Sequence, residues 1–162
     1  MNSALMFATG KDDWATPPEV FDPLHAEFRF WLDGAAHQDN ARIGFWWGPG
    51  GLAEDALTVP HWRCVGGPIW INPPYSRGLQ AKFIAKAAEE ARKGATVVML
   101  LPVRTDTRAF HAHIWDAETH KPRPWVREIR FLKGRVRFVG APNAAPFPSM
   151  IVVFADPSEV IA

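Results

Sequence analysis

A three-layer α/β domain with a mostly parallel sheet is predicted by three features of the sequence. Short apolar runs alternate with helical patterns through the first two thirds of the chain. The run TVVMLLPV, residues 96–103, has the continuous β-branched and aliphatic character of a strand buried on both faces. Near the C-terminus the pattern changes in kind, to alternation around Lys133-Gly134 followed by one more apolar run, which predicts an antiparallel hairpin finish. With 162 residues, 48% of them apolar, the chain can fill one core and hardly two, so 1–162 is expected to be a single domain with 1–12 as a flexible tail.

The elements follow in order. Thr16-Pro17-Pro18-Glu19 reads as a helix start, with Thr16 as cap, Pro17 in the first turn and Glu19 completing a capping box. Val20, Phe21, Leu24 and Phe28 then fall on one helical stripe. A short strand from Phe30 to Leu32 reaches Asp33, and Gly48 to Gly51 form a glycine and proline loop. Ile69 to Ile71 is a brief strand halted by Asn72. Residues 79–93 have helical spacing through Phe83, Ile84, Ala87, Ala88 and Ala91, with Gly94 as C-terminal cap. After the buried strand, Asp106 or Thr107 starts a short helix through Phe110 and Trp115. EIRFLKGRVRF, residues 128–138, reads as the hairpin, and SMIVVF, residues 149–154, as the last strand. In such sheets ligands lie at the carboxyl ends of the strands, so Asp33, Asn72 and Pro102 to Arg104 should converge on one edge.

Charge is separated along the chain although its net value is only +1. Residues 12–55 carry nine acids against two bases, and residues 63–137 fifteen bases against six acids. The bases bunch between Arg104 and Arg137, which suits a polyanion. Arg135 and Arg137 would share one face of their strand, with Val136 and Phe138 on the other and Lys133 in the turn, a stripe fit for phosphates or for a solvated strand edge. Cys64 stands alone, so neither an intrachain disulfide nor a cysteine-rich zinc cluster is expected. His111 and His113, two apart on a helix, face different ways and do not make a metal pair. No apolar run approaches the roughly 20 residues of a bilayer span, and the N-terminus lacks a secretion signal, so a soluble cytoplasmic protein without metal or membrane partner is expected. Trp31, Trp46, Trp47, Trp62 and Trp70 read as core, and Trp14, flanked by acids and a helix start, as a lid.

The stretch IWINPPYSR, residues 69–77, carries the chemistry. Pro73 and Pro74 lack N–H groups and fix φ, so the turn after the strand is stiff and its carbonyls are free to accept from a ligand. Asn72 adds a side-chain acceptor, and Tyr75 a flat face for stacking. Together they describe a clamp for a planar exocyclic amine. Two acceptors on its N–H groups can favour a tetrahedral nitrogen whose lone pair is released toward an electrophile.

Asn-Pro-Pro-Tyr after a short apolar strand resembles the catalytic motif of S-adenosylmethionine-dependent amino-methyltransferases. The wider chain is similar to the small phage and prophage DNA N6-adenine methyltransferase family, through DWATPPEVFDPL, EFRFWLDGAA, EDAL, NPPYS, LLPVRTDT, IRFLKGRVRF and PFPSMIVVF in that order. The resemblance implies a compact Rossmann-like fold and methyl transfer to adenine N6 in double-stranded DNA of a bacterial host. It implies that Asn72 and the Pro73 carbonyl hold the amine, with Pro74 fixing the turn and Tyr75 stacking on a flipped base. Asp33, with Ala35 beside it, would take the ammonium of S-adenosylmethionine, Asp55 its adenine amine, and Trp14, Thr16 and Pro17 would close over its methionine end. Ser76, Arg77, Arg104, Lys133, Arg135 and Arg137 would face DNA. The chain departs from the usual pattern at DGAAHQDN: no glycine-rich turn follows the first strand, and twenty-one residues lie between Asp33 and Asp55, so the cofactor half should be shortened. Asp33 and Asp55 can equally serve as turn caps. Two alternatives fit the same residues: an amino-methyltransferase acting on cytosine N4, an RNA base or a protein glutamine, and a non-catalytic DNA-binding protein on a degenerate methyltransferase fold.

Overall fold

The run at residues 96–103 forms β3 (Val97–Pro102), buried along its whole length at the centre of a five-stranded sheet. This computed structural model describes residues 14–76 and 78–158; the expected tail, 1–12, lies outside them. The strand order is β1 (Leu32–Asp33), β2 (Ile69–Ile71), β3, β7 (Ser149–Phe154), β6 (Val126–Phe131). The first three are parallel, and β7 is antiparallel to both β3 and β6, so it alone runs against the other strands of this sheet. Beyond β1 the parallel edge continues only as single bridges, Asp33 to Trp46 and Trp47 to Ala53.

Side-chain alternation divides the strands between two cores. Val97, Met99 and Leu101 of β3, with Met150, Val152 and Phe154 of β7, pack under α2 (Leu79–Ala91) and α3 (Arg108–His113). Val98, Leu100, Ile151 and Val153 face the other way, with Trp70, under α1 (Pro18–Phe28) and the segment carrying Val136 and Phe138. The three layers expected from the sequence are therefore present, and α2 buries the stripe Phe83, Ile84, Ala87, Ala88 and Ala91. Arg130 of β6 donates through both terminal nitrogens to the Glu27 carboxylate of α1 at 2.6 Å, tying helix to sheet edge. Glu90, fully buried on α2, accepts from the Trp62 amide at 2.9 Å and pairs with Lys86, which holds the loop before β2 onto the helix layer.

Four expectations are corrected. The capping box does not form: α1 starts at Pro18, its N-cap is Pro17, and Thr16 is drawn into the interior with no hydrogen-bond partner for its hydroxyl. The antiparallel C-terminal hairpin is present as β6 with β7 but does not turn at Lys133-Gly134; residues 133–139 leave the sheet as an extended segment whose Val139 bridges Ala15. The alternation there is real as burial, since Val136 and Phe138 are buried and Arg135 and Arg137 exposed, but it reports packing on α1 rather than a ladder. Trp31 is 57% exposed, because Phe30 and Leu32 on either side of it take the inward positions. Trp115 does not extend α3 but opens β4 (Trp115–Asp116), which pairs with β5 (Lys121–Pro122).

Candidate active site

Adjacent parallel strands bring three of the expected segments to one edge. Asp33 ends β1, Asn72 follows β2, and Arg104 lies two residues past β3. Gly34 makes the first of these turns possible: its N–H donates to the Trp70 carbonyl at 2.7 Å, and a Cβ there would stand 2.8 Å from an Ile71 side-chain carbon. Any side chain at this position would collide with β2, so the turn needs glycine.

The Asn72 amide is held at both ends. Its Nδ2 donates to the Trp14 carbonyl at 3.0 Å, and its Oδ1 accepts from the Tyr75 hydroxyl at 3.1 Å. Pro73 and Pro74 are buried, so the turn has little freedom. Tyr75 is set edge-on against two further rings, Phe138 with centroids 5.9 Å apart and Phe147 at 5.4 Å. Burial pushes its phenol well above the ordinary range. A cavity of about 330 Å³ opens beside these rings, bordered by Trp14, Tyr75, Phe138, Asn143 and Phe147. The Arg104 guanidinium lies 5.7 Å over the Phe147 ring, which joins this exposed base to the aromatic group.

Asp33 is 3% exposed. Its carboxylate accepts from the Arg42 amide at 3.1 Å and the Ala35 amide at 3.4 Å. Burial nevertheless pushes it up to about 6, the two amides and the Arg42 charge offsetting only part of the desolvation. Asp33 thus both braces the turn and leaves a buried acid whose ionised form a cation would favour. Thr16 and Pro17 are buried ahead of α1, and Ala35 is buried against the first core. Asp55 caps the 3-10 turn Ala56–Thr58 by accepting from the Leu57 amide at 2.9 Å, the structural role its sequence also allowed.

Lys133, Arg135 and Arg137 are exposed and border a groove of about 460 Å³ between the 132–137 segment and α1, with Glu19 on the opposite wall. They stand on the α1 side of the sheet, and Arg137 is one residue from Phe138 and hence from the aromatic group. Ser76 follows the clamp directly and is half-buried; Arg77 lies outside the described residues. Sequence reasoning missed two residues of the site. Phe138 shows in the sequence only as the inward face of a strand, and Phe147 only as part of a motif; its place ahead of β7, beside β3, was the signal available. Among the described residues no group of three potential metal ligands exists, and no helix is long and apolar enough to cross a membrane.

Fold and site define an α/β protein with a hydrogen-bonded asparagine amide and a group of aromatic rings at the carboxyl edge of its parallel strands. The family model for DNA N-6-adenine-methyltransferase (Dam) matches residues 4–157, and the chain belongs to that family. It is similar to the DNA N-6-adenine-methyltransferase of Haemophilus phage HP1, 34% identical over 111 residues, which are 67% of this chain and 60% of the relative. It is also similar to the DNA N-6-adenine-methyltransferase of Escherichia phage T1, 30% identical over 101 residues, 62% of this chain and 40% of the relative. The matched stretches thus span about half the length of these relatives.

Proposed function

We propose that this protein transfers a methyl group from S-adenosylmethionine to the exocyclic N6 amine of adenine in DNA. The observation that carries the reading is the Asn72 side chain, fixed by Trp14 and Tyr75 at the end of β2, between the strand that ends in Asp33 and the strand that leads to Arg104. Membership of the family and the names of both phage relatives support the same substrate.

The cofactor supplies an electrophilic methyl group. The residues present fit it: Asp33 is a buried carboxylate suited to an ammonium, and the buried Thr16 hydroxyl has no partner within the protein. Trp14, Pro17 and Ala35 would supply apolar contacts to the cofactor, whereas Asp55, already a turn cap, is the weaker of the two acidic contacts. In the working arrangement Asn72 Oδ1 and the Pro73 carbonyl accept the two N–H groups of the adenine amine, and the nitrogen lone pair is freed from the ring. Tyr75 holds the base plane while Pro74 keeps the two carbonyls at fixed spacing. Tyr75 donates to one lone pair of Asn72 Oδ1, and the second lone pair remains for the amine.

We read the sheet as a Rossmann-like methyltransferase fold in one domain over 1–162, with the cofactor half reduced to the bridges at Trp46, Trp47 and Ala53. Phosphates would be met by Arg104, Lys133, Arg135 and Arg137, with Ser76 and Arg77 next to the extruded base.

The test is methyl transfer from a tritiated donor to an adenine-containing duplex by Asn72→Leu and Asn72→Asp. The aspartate retains an acceptor and keeps measurable turnover. The leucine retains bulk alone and loses roughly a hundredfold or more, the scale seen on removing one preorganised polar group at a reacting centre. A folded Asn72→Leu as fast as the parent would refute the clamp.

A further inference from the structure

Tyr75 borders a second cavity, of about 1090 Å³, between the first turns of α2, the end of β3 and α3. Its floor is apolar: Ile84, Leu101, Phe110, Ile114 and Met150 are all buried. Its mouth is basic, with Arg104 and Arg108 exposed and neither paired with a carboxylate among the described residues. Asp106, on the same turn, does not border it. Gln80, half-buried, also borders this cavity; its Nε2 is closed to solvent and has no hydrogen-bond partner, so its donor reaches the cavity when the amide turns. A buried amide group left unmatched costs free energy and marks a place where a ligand can pair.

An apolar floor, an unmatched amide and two guanidiniums free of carboxylates correspond to the three parts of a nucleotide: a planar ring, its hydrogen-bonding edge and its phosphate. A simple anion would use only the mouth. We propose that this cavity receives a nucleotide adjacent to the target adenine, with Arg104 and Arg108 on phosphate and the Gln80 amide on the base edge, so that Gln80 sets sequence preference. A glutamine amide offers a donor and an acceptor side by side and can discriminate bases, whereas phosphate contacts only fix register. The inference rests on the DNA methylation reading and places a base reader next to the clamp.

The experiment uses duplexes in which one strand carries a single adenine between flanks randomised over the other three bases, with methylation read by direct sequencing of that strand alone. The readout is the ratio of most to least favoured base at each flanking position, which does not depend on overall rate. In the parent one flanking position should show a preference of roughly tenfold or more, and Gln80→Leu should bring it within about twofold while leaving the other positions alone. Leucine is as good a helix former as glutamine, so α2 is retained. Gln80→Glu keeps acceptors and removes the donor, and should shift the preference at that position toward a base presenting an amino group. Arg108→Ala should reduce the slope of log affinity against log salt by the equivalent of about one phosphate. A Gln80→Leu profile identical to the parent's at every position overturns the inference and leaves the methylation reading standing. A folded parent that methylates none of the duplexes overturns that reading, and this inference with it.

Discussion

The Tyr75 hydroxyl donates to Asn72 Oδ1 at 3.1 Å, so the acceptor proposed for the adenine amine is bonded to the residue whose ring is proposed to stack on the base. The contact keeps Asn72 aligned in a half-buried turn and leaves the second lone pair of its Oδ1 for the amine. The two roles of Tyr75 are separable, because the hydroxyl serves the first and the ring face the second.

Tyr75→Phe therefore keeps the ring between Phe138 and Phe147 and frees the Asn72 carbonyl. Turnover on an adenine duplex should stay within about tenfold of the parent, while Tyr75→Ala, which removes stacking worth about 1–3 kcal/mol, should fall much further. Equal reductions in both variants, measured by single-turnover methyl transfer, would assign the hydroxyl and not the ring to the chemistry.

The exposed row Lys133, Arg135 and Arg137 leads into buried Phe138, which touches Tyr75. Replacing all three by alanine should weaken DNA binding and reduce the salt slope by about 0.9 for each phosphate no longer neutralised, with S-adenosylmethionine affinity unchanged. A titration across salt concentrations that gives the parent slope would make the row a solubility device.

Glu90 offers a stability test remote from the site. With Glu90→Ala the Trp62 amide is deprived of its acceptor inside the core and Lys86 of its partner, at a cost of about 3 kcal/mol. For a chain of this size that lowers Tm by roughly 6–12 °C. A melting curve superimposable on the parent's would show that water replaces the carboxylate freely.

Where the fold was legible in the sequence, one local pattern decided the element. β2 and β7 have the bounds that IWI and SMIVVF suggest, and α2 buries the stripe its spacing specified, because unbroken apolar runs and helical periodicity report burial directly. Strand partners were not legible at the C-terminus: alternation at 135–138 is the same whether the inward residues meet a ladder partner or α1. The Asn-Pro-Pro-Tyr turn was legible as residue types. Its support was not, since Asn72 is held by a main-chain carbonyl 58 positions away, and no side-chain pattern encodes the approach of a carbonyl. Thr16 shows the converse, a good cap residue whose burial beside the site outweighs its local preference.

Asp33 ties stability and cofactor binding to pH. Its folded pKa is raised from 3.8 to about 6 by burial, so between those values the folded protein keeps a proton that the unfolded chain has released. Unfolding free energy contributed by this group therefore falls as pH rises from about 4 to about 6 and is level above that range, by an amount on the order of 3 kcal/mol. Asp33→Asn does not titrate, and the difference between parent and variant in chemical unfolding at a series of pH values should show that fall. An ammonium bound beside Asp33 favours the ionised form, so S-adenosylmethionine should bind the parent more tightly at pH 7 than at pH 5, and the variant with a weaker pH dependence. Removing one partner of a buried charge pair costs about 2–5 kcal/mol, so binding to Asp33→Asn at pH 7 should be weakened by at least roughly tenfold in calorimetry. If the variant binds cofactor as tightly as the parent and differs from it only in stability, Asp33 braces the Ala35 and Arg42 turn and the ammonium lies elsewhere.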